Sequence, residues 1–335
     1  MAKRQGKSTI LLDKDVSIMT YASAVGPKES QGPLKQYFDR RFDDEMLGED
    51  SFEKAESRLQ QVAVKEAFKK ADLKGEDIDV IFAGDLLNQC IGSAYGLRDL
   101  GVSFVGLYGA CSTMALSLIN ASLSVDGGWA KRAAAVTSSH FCSSERQFRF
   151  PLEYGGQRAP TAQWTVTGSG AVVVEEGGNG VKIKAVSIGK IVDYGITDMG
   201  NMGAAMAPAA WDTISGFLKD TETTPQDYDM ILTGDLGFVG SDLLKTIAKE
   251  DGVDLSNHND CGMIIFDRDV QDVHSGGSGC GCAGSVLCSY ILQKMEQGEL
   301  KNVLFCATGA LMSTTSNQQG ETIPSIAHLL HLSTE

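Results

Sequence analysis

Long apolar runs are missing from this 335-residue chain. None reaches the ~18 residues that a membrane-spanning helix requires. The basic start, MAKRQGK, leads only to the short apolar stretch Ile10–Leu12, too short for the core of a secretion signal. The expectation is an intracellular protein. Positive charge is also scarce: 29 Lys and Arg against 43 Asp and Glu leave a net charge of -14. That excludes nucleic acid as a natural partner and disfavours unaided attraction to anionic lipid. Paired CxxC motifs are absent, with Cys280 and Cys282 one residue apart, so no zinc site is expected. Eight cysteines in a chain this long fit reduced thiols better than a disulfide scaffold. What remains is an ordinary globular composition, long enough for two packed cores.

The chain is organised around Gly106–Ala121, GLYGACSTMALSLINA. The apolar run Val102–Leu107 stops at Gly109, and Cys111 follows. From Ser112 the pattern turns helical, with Met114, Leu118, Ala121 and Val125 on one face. Cys111 therefore sits where a strand becomes a helix, over the first free backbone N–H groups. Such a helix start stabilises negative charge and lowers a thiol's pKa. The arrangement resembles a nucleophile elbow with Cys in place of Ser. The alternative is a small, buried Cys packing as an apolar residue.

In chain order, residues 17–48 are broken by Gly and Pro and read as a long loop or arm. Asp50 and Glu53 form a capping box, and the following helix places Phe52, Ala55, Leu59, Val62 and Ala63 on its apolar side. Asp77–Leu86 reads as a buried strand with a loop at its carboxyl end, Ala133–Ser138 as another strand, and Gly168–Glu175 as a Gly-led strand. Asp227–Leu236 then repeats Asp77–Leu86 at both first aspartates, Ile, Gly, Asp and Leu. The block GCGCAGSVLCSYILQKMEQGELKNVLFCATGA likewise echoes GACSTMALSLINASLSVDGGWAKRAAAVTSS. Two echoes in the same order mean an internal duplication of βα units. The expected fold is α/β, with parallel sheets whose carboxyl ends form the site. The halves are 1–178, including the arm 17–48 and a loop at 140–164, and 179–335. Around a pseudo-twofold axis, the loops at Gly234-Asp235 and Gly277–Gly284 would meet Cys111.

These residues resemble the thiolase superfamily, which includes the ketoacyl synthases. Ala110-Cys111-Ser112 looks like its nucleophile, Gly168-Ser-Gly-Ala171 like its Gly-rich edge, and Gly277–Gly284 like its Gly-His-x-x-Gly-x-x-Gly motif. The resemblance implies two pseudo-repeated βα halves in a five-layer αβαβα arrangement, and a twofold dimer. It also implies His, or His with Asn, as partners of the thiol. Here those slots hold Asp235 and Ser278. A carboxylate at its ordinary pKa repels a thiolate, and a Ser hydroxyl is no base near pH 7. A closer resemblance, to the stage V sporulation protein AD family of spore-forming bacteria, rests on AGDLLNQ, YGACST, SSHFCSSERQFRFPLEYGGQ, TGSGAVV, AMAPAA, DYDMILTGDLG, HNDCG and GGSGCGC. It implies a non-enzymatic protein that binds dipicolinic acid (pyridine-2,6-dicarboxylate), alone or as its calcium chelate. It further implies a peripheral place on the forespore inner membrane, with the membrane subunits of the SpoVA channel as partners in spore formation and germination. No cofactor of its own is implied.

The candidate ligand-binding residues are Cys111, Ser112, His140, Arg149, Asp235, Gly277 and Ser278. The loop His140–Trp164 adds Arg146, Arg158, Tyr154 and Trp164, whose guanidinium and aromatic groups suit a flat dicarboxylate. Backbone N–H groups at the start of the Ser112 helix would take one carboxylate and Arg149 the other. The bland alternative has the arginines paired with Glu145 and Glu153 on a solvated loop. His140 is either a cleft base or a satisfied structural residue. Asp235 either meets calcium or caps a turn, as its match to Asp85 suggests. Met199, Met202 and Met206 read as packing residues. Two other functions stay open: a Cys-dependent acyltransferase using His140 as base, and an assembly subunit with an empty cleft.

Overall fold

A hairpin of β1 (Lys3–Gln5) and β2 (Thr9–Leu11) opens the chain. The computed structural model describes residues 2–148 and 158–335. Next comes β3 (Val16–Val25), which corrects the reading of 17–48 as an arm. Nine of its ten residues are buried, so VSIMTYASAV shows neither alternation nor a polar face, and the Gly and Pro signals begin only after it. β4 (Arg40–Arg41) is a short addition at its end.

α1 (Phe52–Lys70) starts at Ser51, whose hydroxyl accepts from Lys54 N at 3.3 Å. Ser51, not Asp50, is thus the cap, and Asp50 pairs with Lys54 instead. Then follow β5 (Val80–Gly84), α2 (Ile91–Leu97), β6 (Ser103–Gly106), α3 (Thr113–Asp126) and β7 (Arg132–Ser139). The expected loop at 140–164 begins as helix α4 (Phe141–Phe148). β8 (Trp164–Thr165) and β9 (Gly168–Glu176) complete the first half.

The second half begins with β10 (Lys182–Ser187), α5 (Met202–Thr221), β11 (Met230–Thr233) and α6 (Gly237–Glu250). β12 (His258–Asp260), α7 (Cys261–Ile264), β13 (Gly277–Ser278), α8 (Cys280–Val286) and α9 (Leu292–Glu296) lead to β14 (Asn302–Ala310). α10 (Thr314–Gln318) and β15 (Ser325–Ser333) end the chain.

Strand order exposes the duplication. The first half runs β3-β9-β7-β5-β6 and the second β10-β15-β14-β11-β12, which is first, fifth, fourth, second, third in both. In each half the fifth strand is antiparallel to its neighbours while the fourth, second and third are parallel. The sheets are therefore mixed, not wholly parallel as expected; returning the fifth strand beside the first reverses its direction. The repeated aspartates share their duties. Asp79 accepts from Lys131 N and Arg132 N at 2.6 and 3.1 Å, and Asp229 from Lys301 N and Asn302 N at 2.6 and 2.9 Å. Each clasps the start of its half's fourth strand.

The helices form the remaining layers. α1 and α2 cover the outer face of the first sheet, with Leu59, Ala63 and Phe68 against Ile81 and Val173. α3 and α8 lie between the sheets, where Met114, Leu118 and Val286 meet Phe82, Val172 and Phe305. α5 and α6 cover the outer face of the second sheet, burying Ile214, Phe217 and Leu244. This is the five-layer αβαβα arrangement. Among the described residues, no helix is long and apolar enough to cross a membrane.

Candidate functional site

Cys111 lies between β6 and α3, in the turn the sequence marks. Ala110 adopts φ 49°, a left-handed conformation that a side chain makes costly and that sharpens the turn. The turn closes on itself: Ser112 N donates to Gly109 O at 3.1 Å and Thr113 N to Ala110 O at 3.2 Å. These N–H groups thus already have acceptors, so the expected open donor pair at the helix start is not formed. Gly309 of β14 crosses close by. A Cβ there would stand 2.5 Å from Gly109 O and 3.2 Å from Cys111 N.

Asp235 follows β11 and is fully buried. Its Oδ2 accepts from Gly279 N at 2.9 Å and Ser278 Oγ at 3.2 Å, and its Oδ1 from Thr308 Oγ1 at 2.8 Å. The Cys111 thiol lies near enough for Asp235 and the thiol to act on each other's ionisation. Burial raises the Asp235 carboxyl above its ordinary value, against the lowering effect of these donors. Burial, then the charge of Asp235, raises Cys111 well above a free thiol. The elbow therefore holds a protonated thiol at neutral pH.

Turn capping is not what Asp235 does. Asp85, its counterpart, accepts from Leu87 N at 2.9 Å and from Ser93 N at 2.7 Å. In the second half Asp260 performs that task, accepting from Leu236 N and Gly237 N, each at 2.9 Å. Asp235 is thereby released to face Cys111.

The Gly-rich stretch is placed by β13, which pairs with β8 at Gly277–Trp164 and Ser278–Thr165. Gln163 fixes it from below, its amide donating to Asp235 O at 2.6 Å and Gly277 O at 2.7 Å. Gly279 has φ 102°, and a Cβ on it would lie 2.6 Å from Ser139 Oγ. Only glycine suits that position.

Around Cys111 is a pocket lined by Leu86, Ala110, Glu145, Thr165, Met199, Met202, Ser278, Ala310 and Met312. Its free interior is about 30 Å³, room for one or two waters. Cys111 and Ser278 line it directly, with Asp235 behind them and Gly277 beside Ser278. Ser112 turns its hydroxyl to Gly109 O at 2.6 Å. His140 is not in the lining. Its Nδ1 accepts from Cys142 N at 3.2 Å and its Nε2 meets Glu45 O at 2.7 Å, so both nitrogens are engaged. Arg149 and Tyr154 lie outside the described residues. The other arginines do not pair with Glu145: Arg146 meets Glu53 at 3.6 Å and Arg158 meets Asp272 at 3.0 Å. Glu145 is buried and accepts from Thr165 Oγ1 at 2.9 Å. Met199 and Met202 line the pocket, and only Met206 is purely core. The sequence reading missed Glu145, Gln163, Thr165 and Met312, and it took Met199 and Met202 for packing residues although they line the pocket.

The fold and the elbow define a thiolase-like protein. It superposes on 3-oxoacyl-[acyl-carrier-protein] synthase III of Aquifex aeolicus VF5 with a TM-score of 0.57 at 13% identity, covering 95% of this chain and 99% of that one. Xanthomonas campestris OleA gives 0.61 at 14%, covering 96% and 99%. At such identity the likeness shows the fold alone. The profile of Stage V sporulation protein AD (SpoVAD) matches residues 6–333. Stage V sporulation protein AD of Bacillus subtilis (strain 168) is 48% identical over 327 residues, 97% of this chain and 96% of the relative. The chain belongs to the stage V sporulation protein AD family.

Proposed function

We propose that this sporulation protein binds dipicolinic acid in the cleft at Cys111 and performs no acyl transfer there. One observation carries the reading: the Cys111 thiol faces a buried carboxyl, Asp235, where an acyl transferase needs a base. Among the described lining residues there is no histidine. Behind the lining stands the Asp235 carboxyl, bonded to Ser278 of the pocket. A free dianion would be repelled there, whereas the neutral calcium chelate would not. The chelate is therefore the preferred cargo. Admission requires the pocket to widen, and Met199, Met202 and Met312 are side chains that repack at low cost.

A route is at hand. Met312 also lines an outer pocket of about 450 Å³ with Asn88, Gln89, Tyr108, Arg146 and Ser313. Arg146 and the amides there suit a carboxylate on its way in. Calorimetric titration with dipicolinate, with and without calcium, tests the reading. Saturable heat that needs calcium supports it, and no heat under either condition overturns it.

We also propose a twofold dimer built on β6. That strand pairs only with β5, leaving its other edge free among the described residues. Phe104 and Val105 on it, and Tyr95 and Tyr108 near it, are exposed. An apolar open edge is a pairing template, and antiparallel pairing of two copies satisfies it symmetrically. The peripheral place at the forespore inner membrane, beside the membrane subunits of the SpoVA channel, belongs to the same reading.

A further inference from the structure

The net charge of -14 conceals a patch of the other sign. An open groove of about 710 Å³ runs between the β1–β2 hairpin, the segment Ile188–Lys190 and the last turns of α5. Arg4, Lys7, Lys190 and Lys219 line it. Lys190 is paired with Asp212 at 2.7 Å, while Arg4, Lys7 and Lys219 form no ion pair with a described residue. The patch is held in shape by Asp220. Its carboxylate accepts from Lys7 N at 3.1 Å and from Ser8 N and Thr9 N, each at 3.2 Å, and its carbonyl from the Gln5 amide at 2.6 Å. Those bonds fasten the hairpin tip to the end of α5 and keep Lys7 close to Lys219. They also occupy the Asp220 carboxylate, as Lys190 occupies that of Asp212.

Beside the groove the chain presents apolar side chains to water. Ile188, Ile191 and Tyr194 are 45%, 64% and 73% exposed, while Val192 and Ile196 in the same stretch pack inward. Asp193, between them, is occupied by Thr322 Oγ1 and Gly195 N.

We infer that this face docks on an anionic lipid bilayer. Cations spread over an open groove fit a field of headgroups, whereas a soluble phosphate would need donors converging in a recess. Exposed Ile and Tyr side chains next to those cations gain burial at the headgroup–acyl boundary, where an amphipathic ring and lysine stems are well placed. Each basic side chain at such a surface adds to the attraction, and salt weakens it. The inference deepens the peripheral membrane place proposed above by naming the face and the lipid chemistry, and it is independent of the ligand assigned to the cleft.

The test is flotation of the full chain with vesicles of 3:7 phosphatidylglycerol to phosphatidylcholine, beside pure phosphatidylcholine. At about 50 mM salt the anionic vesicles should carry at least about fivefold more protein, and about 0.5 M salt should release it. Lys7→Glu with Lys219→Glu should reduce binding by about fivefold or more, as should Ile191→Ser with Tyr194→Ser. Lys65→Glu, exposed on α1 in the opposite outer layer, should bind as the parent does. All of these positions are exposed, and unchanged melting curves would exclude misfolding as a cause. Equal binding to both vesicles, or variants that bind like the parent, overturns the inference. Release by millimolar inorganic phosphate would point to a soluble phosphate site instead. Retention on poly-glutamate with no vesicle flotation would point to an acidic protein partner and equally overturn it.

Discussion

The Cys111 thiol faces the buried Asp235 carboxyl, whose charge holds the thiol proton in place, the reverse of what thiol activation needs. A nucleophilic cysteine gives its proton to a neutral base and is left beside a positive charge. Here departure of the proton would place two negative charges together in a buried site.

Incubation with acyl-CoA should therefore leave Cys111 unmodified in intact-protein mass spectra. A stable adduct with turnover would sink the binding-protein reading. Asp235→Asn removes the charge that raises the thiol pKa. Alkylation of Cys111 by iodoacetamide at pH 8 should then quicken, about tenfold for each unit that the pKa falls.

Blocking the cleft should abolish the ligand-induced rise in melting temperature. Cys111→Trp overfills a space of about 30 Å³ and should itself cost about 1–3 kcal/mol. Met312→Phe at the mouth, between inner and outer pockets, is the gentler block. Should both variants keep the full shift seen with calcium dipicolinate, the ligand binds elsewhere.

Stability should fall as pH rises from about 6.5 to 8. Burial raises Glu29 and Glu56 to about 8 and Asp260 to about 7. Each binds a proton in the native state that the unfolded chain, with carboxyls near ~4.3, has already lost. Their contribution is complete below the unfolded value and disappears as pH climbs through the folded one. His258, at about 3, and His328 and His331, each at about 4, act oppositely, but only below about 6.5. Above that the carboxyls set the slope, and the buried thiols, also raised, add to it in the same sense toward pH 8. Urea midpoints across pH 6.5–8 check the slope, which Glu56→Gln should flatten.

Val105→Lys on β6 should yield a monomer by light scattering without loss of helical signal, since a charge on a free edge opposes strand pairing. A parent chain that is already monomeric at micromolar concentration would remove the dimer.

Gly309→Ala tests how the two halves close on the elbow. The added methyl would press on Gly109 O, a backbone atom that cannot swing away. A destabilisation of about 1–3 kcal/mol is expected in chemical denaturation.

Much of this was legible in the chain. The repeat of Asp77–Leu86 at Asp227–Leu236 located two second strands, and the run into Cys111 located the elbow, because glycine and aspartate at strand ends answer local backbone needs. β3 was not legible, because a strand buried on both sides has no alternating pattern. The direction of β9 and β15 was equally hidden, since nothing local in a strand records which way its neighbours run. The cleft was half visible. Cys111, Asp235 and Ser278 stood out by their slots in the repeat, but Glu145, Thr165 and Met312 reach it from elements whose approach only the tertiary fold decides. Asp235 misled because its twin Asp85 does cap a turn, and nothing near it announces that Asp260 has taken over.

The clasps at Asp79 and Asp229 give the chain an internal control. Each grips the start of an equivalent strand by two backbone N–H groups, in surroundings that otherwise differ. The same substitution made at both sites asks one question twice within one molecule. Whatever cost they share measures the motif, and whatever differs measures how far the two copies have drifted since they were one.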